Sequence, residues 1–399
     1  MVFCGDALSL NDVFSSGLNS VCSSPRQLVI RLNMGAFGIL RTMKKPIFIA
    51  GSILFALIGI AAVSGVPVWG AEYKPLYEPG MVRAERNLRA PLAPPPQTGD
   101  PNFWVVEPDI KLYHFAVGKG RTALVVHGGP GRPHRSPWAG LEALTNSYRF
   151  IYYDQRGCGR SSRPIDRLES RNYYQNVLLV DRTLGLGAQI ADIERIRRIL
   201  SEDKLILIGH SFGGFLTALY AAEFPEHVAA MVLVAPADVL VAPNTSGGLF
   251  EEVKARLPED QQGEYNAWLQ RYFDFGSIFS KSDADLVALN DEFGRYYRMV
   301  TSTAFPEQGK AGGWIGHAIY FSMGQKYDYR QVLKNVRAPV LVIHGAKDLQ
   351  PEEASRSYAT VFANAKFHII DNTEHFPFHT QPTQFAAVVA EFLSKSLSQ

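Results

Sequence analysis

Three residues, met in the order Ser211, Asp348 and His375, have the types that nucleophilic acyl chemistry needs. A serine hydroxyl is a weak nucleophile until a neighbouring base takes its proton, and a histidine does that best when a carboxylate holds its ring in the right tautomer. Ser211 stands in "LILIGHSFGGFLTALY", residues 205–220, with Gly209, Gly213 and Gly214 crowded around it. The first half is a short aliphatic run of the kind buried on both faces of a parallel sheet. The second half has apolar residues at helical spacing up to Pro225. Only "HS" is left for the reversal between them. So sharp a strand-to-helix turn strains Ser211 and leaves no room for side chains two positions away. The pattern G-x-S-x-G therefore reads as an elbow that lifts Oγ above the start of a helix. A nucleotide-binding turn would want G-x-G-x-x-G or a Lys after the glycines, and neither is present.

An oxyanion formed at such a serine needs fixed amide donors. "RTALVVHGGPG", residues 121–131, is a second buried strand running into a glycine loop. The backbone N–H groups of Gly129 and of Phe212, the residue after the serine, are the expected donor pair. His127 is expected to hydrogen-bond within the loop rather than to move protons. "YRFIYYDQRGCGRSS", residues 148–162, is a third strand and loop. Its Asp154 precedes the serine, against the order serine, acid, histidine, and is expected to pin the loop through Arg156 or Arg160. Asp348 follows the strand in "APVLVIHGAKDLQP", and His375 lies in the loop of "KFHIIDNTEHFPFHTQPTQF". His344 and His368 fall inside strands and His379 near the last helix, so packing or capping suits them better. Asp238 and Asp371 are the alternative acids.

These elements require a mostly parallel, doubly wound α/β sheet with the chemistry at the carboxyl ends of its strands. Strand and helix signals over 103–239 return at 331–399. The block between, 240–330, is mainly helical and aromatic and reads as an inserted cap. Its Trp268, Phe273, Phe275, Tyr296, Tyr297, Trp314, Tyr320 and Phe321 are candidate pocket walls.

The amino-terminal region differs in kind. Residues 47–66, "IFIAGSILFALIGIAAVSGV", carry no charge and are long enough to cross a bilayer, with Arg41, Lys44 and Lys45 just before them. Residues 1–71 are thus expected to be an extension plus either a cleaved signal peptide, cut after Gly70 or Ala71, or an uncleaved anchor. Either places the mature chain outside the cytoplasm: exported, periplasmic, or membrane-anchored facing outward. A start at Met43 would leave a compact bacterial-type signal. Residues 72–102, rich in Pro and Arg, read as a spacer, with folded sequence from about Phe103.

The chain has 399 residues, 46% hydrophobic, and a net charge of +2 with charges interspersed, which gives no nucleic-acid footprint. Its three cysteines, Cys4, Cys22 and Cys158, form no zinc pattern and no disulfide framework. No metal or cofactor is expected, and the partner is a small-molecule or short peptide substrate.

On "HGGPG", "DQRGCGRS", "GHSFGG", "GAKD" and "EHFPF", the sequence resembles the α/β-hydrolase fold, and within it the proline iminopeptidase-like group, over roughly residues 103–395. The group commonly has a G-G-S-W-G type elbow, whereas this chain has GHSFGG. The resemblance implies a serine aminopeptidase whose acidic residues, some from the cap, read the substrate's free amine. Glu251, Glu252, Glu264, Asp291 and Glu292 are the cap candidates, and no motif selects among them. The same triad would serve a carboxylesterase or other small acyl hydrolase. A non-catalytic, membrane-tethered binding module is the reading from outside enzymology.

Overall fold

A computed structural model describes residues 74–243, 248–302 and 305–398. The apolar run at 47–66, the possible cleavage site and both possible starts lie outside the described residues. Among those described, no helix is long and apolar enough to cross a membrane.

The eight-stranded sheet contains β1 (Phe103–Glu107), β2 (Ile110–Gly118), β3 (Arg121–Val126), β4 (Tyr148–Tyr153), β5 (Leu205–His210), β6 (Val228–Val234), β9 (Val340–Gly345) and β10 (Ala365–Ile370). Their order is β1-β2-β4-β3-β5-β6-β9-β10. The β1–β2 and β2–β4 pairs are antiparallel and the rest are parallel.

Period-two alternation within continuous apolar runs builds a core on each face. Leu205 and Leu207 of β5 turn to one side and join Leu216 and Leu219 of the helix Phe212–Glu223 and Ile190 and Ile193 of the helix Leu186–Ile199. Ile206 and Ile208 turn to the other and meet Phe385, Val389 and Leu393 of the carboxyl-terminal helix Pro382–Leu397. All six residues of β5 are buried, so a one-residue slip in register would exchange the two cores wholesale.

The insertion is closed at its base by a two-stranded ladder. Val241–Ala242 (β7) pairs antiparallel with Tyr327–Asp328 (β8), Val241 opposite Asp328. Between them lie the helices Leu249–Arg256, Glu259–Tyr272, Asp283–Val300 and Trp314–Met323. Trp268 and Trp314 are fully buried and their indole N–H groups donate to Leu289 O at 2.9 Å and Asp166 O at 3.1 Å. Both were candidate pocket walls, but a ring enclosed on all sides has no face for a substrate, and they belong to a buried cluster that also takes in Ile165, Val180, Leu184 and Leu349.

The spacer reading of 72–102 needs correction. Tyr77, Val82 and Leu92 are buried in the main core. The buried Glu223 carboxylate, at the end of the helix that follows Ser211, accepts from Tyr77 Oη at 3.0 Å and from the amides of Gly80, Val82 and Arg83 at 2.8, 3.4 and 3.0 Å. Leu76 and Tyr77 also donate their amides to Ser322 O on the cap's last helix. This segment is a strap across core and cap. Its three buried apolar residues have no helical or strand period, so pattern reading could not detect that a distant carboxylate would gather its amides.

Candidate active site

Strand order brings the three candidate residues to one edge of the sheet. Ser211 follows β5, Asp348 follows β9 and His375 follows β10, and β5, β6, β9 and β10 are consecutive parallel neighbours. All three loops therefore leave from the same end.

Ser211 has φ +54° and ψ −122°, a conformation costly for a side-chain-bearing residue. Its neighbours hold it there. The Ser211 amide donates to Val234 O at 2.9 Å, and Ser211 O accepts from the amides of Gly214 at 2.9 Å and Ala237 at 3.0 Å. A Cβ on Gly209 would run into the Gly213 carbonyl, and one on Gly213 into the Val126 carbonyl. The glycine spacing is thus dictated by backbone packed against backbone.

The glycine loop lies directly against the serine. A Cβ on Gly128 would come within 2.8 Å of Ser211 Cβ, and Gly129 has φ +116°, which side chains rarely adopt. Gly129 is the next residue in that loop, and Phe212 directly follows Ser211. Phe212 opens its helix, where first-turn N–H groups have no intrahelical acceptor and the dipole favours negative charge.

His375 Nδ1 and Asp348 Oδ2 are 2.8 Å apart, both residues buried. A carboxylate only accepts, so Nδ1 carries the hydrogen and Nε2 keeps its lone pair. The second Asp348 oxygen accepts from the Gln350 amide at 3.0 Å. The two loops are stitched by Ala346 N donating to Ile370 O and Lys347 N to Thr373 O, each at 2.9 Å.

His210 escaped sequence reasoning. Its Nε2–H donates to His375 O at 2.9 Å, and the two rings lie 4.7 Å apart. Burial holds the His210 imidazole well below its ordinary pKa, so it stays a neutral tether. Its place as the first x of G-x-S-x-G was the available signal.

The rival groups are engaged elsewhere. His127 Nε2 accepts from the Gln155 amide at 3.0 Å while Nδ1 donates to Gly128 O at 2.9 Å, and burial pushes its pKa down to about 4. Asp154 pins its loop with Arg160, accepting from that residue's backbone amide at 2.7 Å. Arg156 instead joins Asp192 and Glu107 in a buried network. His344 meets Ser355 Oγ at 3.0 Å.

The cap carboxylates are also engaged. Glu251 accepts from the Gly248 amide, while Glu252 pairs with Arg256, Glu264 with Arg295, Asp291 with Arg132 and Glu292 with Arg271. Among the described residues no group of His, Cys, Asp or Glu is arranged to hold a metal ion.

A mixed, mostly parallel sheet with a serine on a strained turn after its central strand, and an acid and a histidine after later strands, defines an α/β hydrolase. The family model described as alpha/beta hydrolase fold matches residues 124–382, and the chain belongs to that family. It is 29% identical over 294 residues to a proline iminopeptidase of Heyndrickxia coagulans, covering 69% of this chain and 92% of that one. Among solved structures it is similar to the proline iminopeptidase of Mycobacterium smegmatis (TM-score 0.48, 19% identity, 73% of this chain and 97% of that one). It is equally similar to a thermophilic esterase from Thermogutta terrifontis (TM-score 0.47, 20% identity, 72% and 94%).

Proposed function

We propose that the chain is a serine hydrolase that cleaves an amide or ester through an acyl-enzyme on Ser211. The observation that carries this is the His375 Nδ1–Asp348 Oδ2 bond of 2.8 Å at the same end of the sheet as a serine held at φ +54°. Ser211 Oγ attacks the substrate carbonyl as its proton passes to His375 Nε2. The Asp348 carboxylate stabilises the imidazolium formed, and the Gly129 and Phe212 amides hold the oxyanion. Collapse breaks the bond to the leaving group, which departs with the proton from Nε2. Water then repeats the sequence on the acyl-enzyme, releasing the acid and restoring the serine.

For the substrate, the relationship to proline iminopeptidases favours release of an amino-terminal prolyl or similar residue. A buried ammonium must be paired, so the test is amine dependence. Unblocked prolyl arylamide is turned over and its acetylated form is not. If both are inert while short acyl nitrophenyl esters react rapidly, the peptidase reading fails. One observation favours that second, esterase reading: the five nominated cap carboxylates already have cationic or amide partners in this structure.

We further propose export, from the uncharged run at 47–66 behind a basic cluster. Amino-terminal sequencing of membrane and soluble fractions finds a start near Ala71 or an intact apolar segment. Soluble full-length cytoplasmic protein would refute it.

A further inference from the structure

The glycine loop runs on into Arg132, a charged residue immediately after HGGPG that the acyl chemistry does not use. Its guanidinium crosses to the cap helix Asp283–Val300, where Nη1 donates to Asp291 Oδ1 and Nη2 to Asn290 O, each at 2.6 Å. The Arg132 amide turns back to Gly128 O at 3.0 Å and so closes the turn that contains Gly129. Asn290 donates its side-chain amide to Gly312 O at 2.7 Å, and the Gly312 amide donates to Gly131 O at 3.0 Å. Beyond it, Gly309 N donates to Pro133 O at 2.8 Å and Arg135 N to Glu307 O at 3.3 Å. Two separate pieces of the cap, the helix and the returning segment 307–312, therefore grip the loop that lies against Ser211.

We infer that Arg132 is a positioning residue that transmits the seating of the cap helix to the Gly129 amide. The inference rests on the acyl-enzyme reading in which that amide holds the oxyanion. As an ion pair the contact adds little stability, since the Arg132 side chain is 25% exposed and that of Asp291 53%. Its effect is geometric: an oxyanion donor must sit within a few tenths of an ångström of its place, and the Arg132 fork ties the closing residue of the Gly129 turn to the cap. A cap that shifts outward draws Arg132 with it and opens the turn.

The test compares wild type with Arg132→Met, Arg132→Lys and Asp291→Asn in the full chain. It measures kcat and KM on whichever arylamide or ester the wild type turns over, the affinity of an arylboronic acid, and hydrogen exchange at residues 128–131. The boronate's tetrahedral oxygen occupies the oxyanion position, so its affinity reports the donor directly. Expected for Arg132→Met is a fall of about five- to twentyfold in kcat with KM within twofold. A matching loss of boronate affinity, faster exchange in the loop, and partial rescue in Arg132→Lys accompany it. Asp291→Asn, on a half-exposed helix position, gives a smaller loss of the same kind and serves if Arg132→Met does not fold. Unchanged kcat and boronate affinity, or a loss confined to KM, overturns the inference while leaving the acyl-enzyme intact. A wild type inert to substrates and to a fluorophosphonate overturns both.

Discussion

His210 and His375 are joined by a 2.9 Å hydrogen bond from the His210 ring to the His375 backbone carbonyl, so the residue preceding Ser211 carries the loop that holds His375. Sequence separates the two by 165 positions, yet a displacement of one displaces the other. His210→Ala removes the donor and leaves the buried carbonyl unsatisfied, at about 1–3 kcal/mol. The expected result is a loss of about tenfold or more in kcat, with a modest fall in melting temperature. A fall in melting temperature alone would make His210 a packing residue.

Ser211→Ala is expected to abolish labelling by a fluorophosphonate probe. His375→Ala should cost as much activity, because nucleophile and base act as a unit. Asp348→Asn should keep the fold and lower kcat by about 10⁴, since an amide can present its N–H to Nδ1 and fix the wrong tautomer. His379→Ala, on the short helix Pro377–Thr380, should cost far less. Labelling that survives in Ser211→Ala would displace the assignment.

Acid should destabilise the protein from about pH 6.5 downward. Burial lowers the pKa of His127 and His317, and burial with the nearby Arg149 lowers that of His114, in each case to about 4. Burial lowers those of His134 and His210 as well. Their unfolded values lie near 6.5, so between about 6.5 and 4 the unfolded chain binds more protons and stability falls as pH falls. Asp154 opposes this: burial raises its pKa to about 6, and its contribution declines as pH rises from about 4 to 6. His344 is lowered by burial as well and Asp181 raised by it, so six histidines outweigh two acids, and the melting temperature should drop steadily below pH 6.5. A flat profile down to pH 4 would contradict the buried, neutral state of these rings.

Removing the Glu223 carboxylate should release the strap. Hydrogen bonds to a charged acceptor contribute about 1.5–3 kcal/mol each, and Glu223 accepts four from residues 77–83. Glu223→Ala should therefore lower stability by several kcal/mol in urea unfolding, and trypsin should cut at Arg83 or Arg86 while the remaining core stays resistant. Unchanged stability and protease resistance would show that burial of Tyr77 and Val82 alone holds the segment.

Local chemistry was legible in the chain wherever neighbouring residues define it. The strand-turn-helix around Ser211 follows from an aliphatic run, a two-residue reversal and glycines where backbones touch. The same logic located the glycine loop, Asp348 and His375, because each closes a strand whose apolar run announces it. Partners far apart in sequence were not legible. His210 tethered the His375 loop, Trp268 and Trp314 filled a buried cluster instead of lining a pocket, and the 74–92 segment packed where its composition suggested a spacer. In each case the deciding quantity was the distance between groups whose separation along the chain carries no period. Only the strand order, which sets β5, β6, β9 and β10 side by side, and the burial that follows from it decide which carboxylate meets which histidine and which amides gather on Glu223.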